Sequence, residues 1–544
     1  MLRPLIVICT FIASALPAPA RSQGVSAPPG QLTTLFTEWR AFQRPALVQG
    51  APDYSARAMA AQAAALPSWR RRLAAIDTTG WSIAHQVDWH LVRAEMNGLD
   101  FDQRVLRPWA NNPAFYVTVF PSQSDQPARE GHQAFGSVEL WQYTFPLAPE
   151  AAAKLGAGLR AVPVLLAQAR RNLVGNGRDL WVMGGSALRA QGAAIAELLP
   201  KLDGGPATLR ADAERARAAT LSLADWVEGE AKRKTGASGI GVANYDWYLR
   251  NVQLLPYTWA QEVSVMEREL ARARSYLALA ESRNASLPPL VPVASAAEHT
   301  RRFEGAVDEY VTFLRDRKIL TVKPWMAPAL RARIGRYAAG TREFFTEIDY
   351  RDPMVMRTHG YHWFDIARME REPHPDPIRR GPLLYNVFVT RTEGHATGWE
   401  EMMLGAGMFD RHPRADELVY VLLAQRAARA LGDLRMHSRE ATLEQASAFA
   451  SANTPRGWLR MDANTVRHEQ HLYLQQPAYG TSYVIGKVEI DRLLSDRATQ
   501  LGARFTMQSF MDAFDAAGLI PTSLLRWELT GRLDDDVKRV LAAR

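Results

Sequence analysis

The chain has one cysteine, Cys9, among 544 residues. A lone cysteine forms no internal disulfide and no thiolate cluster. Cys9 also falls within residues 1–20, which read as an export signal. Arg3 is followed by the apolar run Leu5 to Leu16 and then by Ala18-Pro19-Ala20, a small-residue cleavage pattern. Cleavage is expected after Ala20, leaving a chain with no thiol nucleophile and no cysteine ligand. Ile8, not a small residue, precedes Cys9, so Cys9 does not read as a lipid-attachment site. No other segment reaches the roughly eighteen apolar residues that cross a bilayer. A periplasmic or secreted address without a stable membrane span is the expectation.

Charge of one sign is also scarce. The net charge is +8, and most of the basic residues are arginines dispersed along Ala-rich stretches rather than gathered into a run. Nucleic acid is therefore not an expected partner. There is no repeat of fixed period and no low-complexity tract. Strand signals are few, the best being Ala114 to Phe120 (AFYVTVF) and Trp181-Val182-Met183.

What is present is helical pattern. Apolar residues recur at three- and four-residue spacing over Arg57 to Leu66, Ala151 to Leu173, Ala187 to Leu199, Thr208 to Lys232, Thr258 to Ser282, Ala296 to Arg317 and Glu417 to Met436. Pro163 is expected to kink or split the second of these. The expected fold is mostly α, with helices on both sides of a long central cleft and a minor β component. Residues 21–544 read as one large domain, with a soft sub-boundary near 235–241 (TGASGIG).

The stretch RTEGHATGWEEMM, Arg391 to Met403, holds the densest chemistry. Glu393 and Glu400 stand seven positions apart, two turns along one helix face. They could line a site or simply face solvent. Histidines favour a site: eight of the twelve fall between residues 359 and 471. His359 and His362, three apart, could share a metal with Glu393. They could equally pack a loop under Trp363 and Phe364. His468 and His471 are three apart where the zinc-protease signature needs four, so VRHEQHLYLQQP reads as a surface helix face. The aromatics Tyr361, Trp363, Tyr385 and Trp399 read as core more readily than as pocket.

Glu393 to Glu400 resembles the Glu-Gly-Trp-Ala-x-Tyr-x-Glu signature of the bacterial "domain of unknown function 885" family. Further matches follow in order. Arg426 to His437 resembles the family helix ending in Asp-Thr-Gly-Ile-His, with Asp433 and His437 in register. Thr442 to Thr454 resembles the next helix. Tyr473 to Lys487 resembles Tyr-x-x-x-Pro-Gly-Gln-x-x-Ser-Tyr-x-x-Gly-Lys, and Phe510 to Pro521 the C-terminal segment. The resemblance implies a large helical metallopeptidase-like fold, zinc as cofactor, and hydrolysis of an amide, peptide or ester bond in a small molecule or short peptide.

The pattern also departs. The family's His-Glu before Pro-Gly-His-His falls here on Val355 and Met356, and His395 replaces the signature Trp. The resemblance therefore implies a rearranged site: His359, His362 and Glu393 on the metal, Glu400 or His395 as acid/base, and His437 and Tyr483 as oxyanion donors. Lys487, Arg379, Arg380 and Tyr479 would bind substrate. Two alternatives stay open: metal-independent His/Glu/Tyr acid–base catalysis on the same scaffold, and a non-catalytic ligand-binding pseudo-peptidase.

Overall fold

The computed structural model describes residues 30–127 and 130–542. The expected export segment and Cys9 lie outside them. In chain order the main helices are α1 (Gly30–Phe42), α2 (Ala56–Ala74), α3 (Ile83–Phe101), α4 (Pro149–Asn172), α5 (Arg178–Leu198), α6 (Ala207–Ala231), α7 (Val242–Asn251), α8 (Trp259–Arg283), α9 (Ala296–Asp316), α10 (Pro353–His359), α11 (Tyr361–Arg371), α12 (Val389–Gly405), α13 (Ala415–His437), α14 (Leu443–Asn453), α15 (Thr465–Gln475), α16 (Tyr479–Leu501), α17 (Met507–Ala516) and α18 (Thr522–Thr530). Strands are minor. β1 (Leu47–Val48) pairs antiparallel with β2 (Ala51–Pro52), and β3 (Val119–Phe120) pairs parallel with β4 (Val138–Glu139). The fold is mostly α.

Two sequence expectations are corrected. Trp181-Val182-Met183 lies inside α5, where Trp181, Gly184, Gly185 and Leu188 are buried while Val182 faces out. That spacing is helical, and a three-residue apolar run is too short to separate strand from helix. Ala114 to Phe120 is mostly a 3₁₀ turn (Pro113–Tyr116), with only Val119–Phe120 as strand. Asn112 caps the turn by accepting from Ala114 N at 3.0 Å, which competes with a ladder. Pro163 lies within α4, which remains one continuous helix.

Buried apolar side chains form two main cores. A smaller one joins α4, α5 and α6 with Phe115, Tyr116 and Val119. The larger one gathers α1 to α3 with most elements from α7 onward. Glycines bring α12 and α16 together within the larger core. A Cβ on Gly394 would stand 2.3 Å from Gly486 Cα, and one on Gly486 would stand 2.0 Å from Thr390 O. Contact that close needs hydrogen on both sides.

Arg391 then fixes the roll of α12. It donates to Asp365 Oδ2 of α11 at 2.8 Å and to Asp515 Oδ1 of α17 at 3.3 Å. Among the described residues no helix is long and apolar enough to cross a membrane.

Candidate functional site

Residues Val389 to Glu400 of α12 are all buried. Packing a helix on every side forces each polar group on it to find a partner, and the partners differ along its length. Glu393 meets the loop before residue 130 and α16. Gln126 Nε2 donates to Glu393 Oε1 at 2.9 Å, and Tyr479 OH donates to the same oxygen at 2.6 Å. Thr392 Oγ1 donates to Gln126 Oε1 at 2.7 Å and so orients the amide.

Tyr479 OH also lies 2.7 Å from Glu130 Oε1. Burial, together with Asp125 and Glu393, pushes Glu130 up to about 7. Burial also acts to raise Glu393, but the neighbouring His362 and Tyr479 outweigh it and bring Glu393 down to about 2.

His362 and His359 stand at the junction of α10 and α11, with ring centroids 5.1 Å apart. His362 Nε2 is 3.2 Å from Glu393 Oε2. The two groups form a buried ion pair, and Gln126 Nε2 lies 3.3 Å from His362 Nδ1. His359 turns Nδ1 to Glu400 Oε1 at 3.1 Å. Glu400 in turn accepts a two-pronged guanidinium from Arg426, 2.7 Å on each prong. Arg426 Nη2 lies 3.1 Å from the same Nδ1, so Nδ1 faces both a donor and an acceptor. Burial and Arg426 lower the His359 pKa and favour the neutral ring that can bind a metal.

Among the described residues two groups of three have metal-ligating atoms within 4.8 Å of one another. One is Asp125, His359 and His362; the other is Asp125, Glu130 and Glu393. Imidazole nitrogens with a carboxylate fit a divalent cation such as zinc.

Asp125, Glu130, His359 and Glu393 border a cavity of about 360 Å³, also lined by Arg426, Arg429, Tyr473, Tyr483 and Trp363. Arg429 is ion-paired with Glu469 and stacks on the Tyr483 ring, 4.3 Å from its centroid. The Tyr473 hydroxyl makes no hydrogen bond among the described residues. A neighbouring cavity of about 540 Å³ shares Gln123, Ser124, Glu130, His468 and Leu472 with the first.

Of the sequence candidates, His359, His362, Glu393, Tyr479 and Tyr483 converge here. Glu400 sits behind His359 and acts on it rather than lining the cavity. Five others lie elsewhere. His395 is enclosed by Tyr361, Trp399 and Phe514, with centroids 4.2, 5.1 and 4.7 Å away. Neither of its nitrogens has a partner among the described residues, and burial, then Arg391, push its pKa well down. His437 points Nε2 at the Tyr473 carbonyl, 3.0 Å away, inside the core. Lys487 pairs with Glu401 and Asp491 at 2.9 Å each. Arg379 is buried between Asp88 (2.6 Å) and Glu528 (2.8 Å). Arg380 donates to the backbone of His374 and Pro375. Each of these cations is already consumed by a structural partner.

Asp125, Gln126, Glu130, Arg426, Arg429, Glu469 and Tyr473 complete the site without having been singled out for it. The surface-face reading is corrected for His471, which is buried because α15 turns Gln470, His471, Tyr473 and Leu474 inward; His468 is exposed, at the edge of the larger cavity.

The family of bacterial proteins of unknown function called DUF885 matches over residues 46–362 and 360–529. The chain belongs to that family. No curated protein matches it by sequence. Two solved structures share the fold of this DUF885 member. One is a "putative lipoprotein of unknown function" from Shewanella oneidensis, at 14% identity and TM-score 0.66, covering 92% of this chain and 99% of that one. The other is a protein of similar description from Colwellia psychrerythraea, at 15% identity and TM-score 0.64, covering 92% and 98%.

Proposed function

We propose that this DUF885 protein is an exported, metal-dependent hydrolase that cleaves an amide, peptide or ester bond in a small molecule or short peptide. The observation that carries this reading is the clustering of Asp125, His359 and His362, whose ligating atoms lie within 4.8 Å of one another beside a cavity. His359, His362 and Asp125 would hold the cation, with zinc the first candidate. The cation would supply Lewis acidity and a bound water of lowered pKa.

The chain's own groups have separate tasks. Glu400 and Arg426 hold the His359 ring. Glu130, Tyr479 and Glu393 form a hydrogen-bonded chain along which a proton can pass. Tyr473 and Tyr483 line the same cavity and offer hydroxyl donors for a substrate carbonyl or carboxylate. The apolar run Leu5 to Leu16 and the lipoprotein description of the two structural neighbours support export to the periplasm or beyond.

The test is metal content and chelation on purified protein, read against a panel of short peptides and esters. Bound zinc and chelator-sensitive turnover are expected. Metal-free protein whose turnover ignores chelator would replace this reading with the second one, acid–base catalysis by the His362–Glu393 pair. The 3.2 Å approach of those two groups, with His362 raised to about 9, favours that second reading. In that histidine, burial is outweighed by Glu393 and Asp125.

A further inference from the structure

We infer that the larger cavity, of about 540 Å³, is the specificity pocket of the candidate site and takes an uncharged apolar group of the substrate, such as an aromatic or branched aliphatic side chain. This rests on the hydrolytic reading above and narrows its substrate class. Pockets that hold small molecules measure roughly 300–1,000 Å³. Gln123, Ser124, Glu130, His468 and Leu472 border both cavities. A substrate with its scissile bond in the smaller cavity can therefore extend into the larger one.

The walls are largely carbon. Val117 and Phe120 come from the segment that runs into β3, Ala187 and Ala190 from α5, and Leu472 from α15. Ala187 and Ala190 stand three apart, the spacing of one helix face, and their short side chains leave the space open. Trp141 adds a ring that is 38% exposed. A large ring exposed beside other apolar groups at a cavity, rather than alone on the surface, marks a place that an apolar partner covers.

The polar groups of the walls are largely spent on one another. Thr118 N and Val119 N donate to Gln191 Oε1 at 2.7 and 2.9 Å, and Gln191 Nε2 donates to Thr220 Oγ1 at 2.9 Å. Asn112 Nδ2 donates to Gln475 Oε1 at 3.0 Å, and Gln475 Nε2 lies 3.3 Å from His471 Nδ1. These bonds tie the β3 segment to α5, and α15 to the turn after Asn112, so the pocket is formed before a substrate arrives. Burial, then His468, push His471 down to about 3, and its ring is neutral. Glu139 turns its carboxylate to Gln142 Nε2, 2.6 Å away and outside the lining. An ionised group entering here sheds its water against walls already satisfied, a cost that an apolar group does not carry.

The test is selectivity, read on the full-length protein with the dipeptides X-Gly and Gly-X and the methyl esters of X, where X is Gly, Leu, Phe, Lys or Glu. In at least one series kcat/KM should rise about 10- to 100-fold from Gly to Phe, the span that a buried apolar group supports, and Lys and Glu should not exceed Gly. Ala190→Trp fills the cavity and should remove most of the Phe-to-Gly ratio. A ratio of two substrates on one protein cancels any loss of folded molecules, so a merely structural effect does not move it. Val182→Trp, on the outward face of the same helix, should leave the ratio at its wild-type value. A flat ratio in every series, a preference for Lys or Glu, or a ratio that Ala190→Trp leaves intact overturns the pocket, while hydrolysis of the Gly substrates keeps the proposed function standing. No turnover of any member overturns both.

Discussion

Glu393 and His395 are two residues apart on α12 and occupy opposite environments. Two helical steps turn the side chain about 200°, so one faces the cavity and the other faces core. Around Glu393 stand an amide, a phenol, a second carboxyl and an imidazole, all within hydrogen-bonding distance of a neighbour. Around His395 stand three aromatic rings and nothing that can take or give a proton. The residue that departs most visibly from the family signature is thus a packing residue. The acid beside it faces the candidate metal groups. Identity within a motif does not set a role; the element packed against it does.

The largest expected effect breaks the Glu393 side. Glu393→Gln removes a charge but keeps the shape and one acceptor oxygen for its neighbours. Turnover should fall about 10²- to 10⁴-fold, the usual span for a lost acid–base or ligand group, with little change in melting temperature. Unchanged activity and metal content would put the chemistry elsewhere in the molecule. Gly486→Ala breaks the scaffold under both faces. Its new methyl meets the Thr390 carbonyl at 2.0 Å, so α12 and α16 must separate. A loss of about 3 kcal/mol is expected from such overpacking, measured by urea denaturation. A neutral result would mean that the helix contact is not tight.

How much of this was visible in the chain follows from distance along it. The helices announced themselves by apolar spacing, and the ordered motifs from Glu393 to Pro521 located the right helix. His359 and His362 were legible because both lie within about 35 residues of Glu393. Asp125 and Glu130 were not, because they come from a polar loop more than 260 residues earlier and nothing local marks them. Arg426 and Arg429 looked like the solvated arginines of an Ala-rich helix. Both are buried, one forked onto Glu400 and the other locked to Glu469. Periodicity reports which face is apolar, but α13 is buried all round, and only neighbours from other parts of the chain explain its charges.

Glu262 on α8 extends the comparison to a buried acid with no cation. Glu400 has Arg426 and Glu393 has His362, and both are held below the ordinary carboxylate range. Glu262 has the Tyr245 hydroxyl, at 3.1 Å, and the Thr481 hydroxyl beside it, and burial outweighs both and pushes it up to about 8. A carboxyl raised in the folded state favours folding fully below its unfolded pKa of 4.5, and that contribution is lost as pH rises toward 8. Glu262→Gln should therefore match the wild type near pH 4.5 and exceed it by about 2 kcal/mol at pH 6. Denaturation at the two pH values checks this, and a pH-independent difference would mean that Glu262 is ionised in the fold.

The smallest effect sharpens the other side of the opening comparison. His395 buries two ring nitrogens without partners among the described residues, and an unsatisfied buried polar group costs about 1–3 kcal/mol. His395→Phe replaces that ring with one that suits its neighbours Tyr361, Trp399 and Phe514. Phenylalanine is somewhat larger, and overpacking offsets part of the gain. A net stabilisation of about 1 kcal/mol is expected, with metal content and turnover within about twofold of wild type, below the threshold of a lost ligand. The two readouts separate two ideas. If His395→Phe loses metal or activity while remaining folded, the aromatic box is part of the site after all, and α12 presents chemistry on both faces. If it gains stability and keeps both, the signature's most unusual residue is a core residue, and the chemistry belongs to the face that carries Glu393.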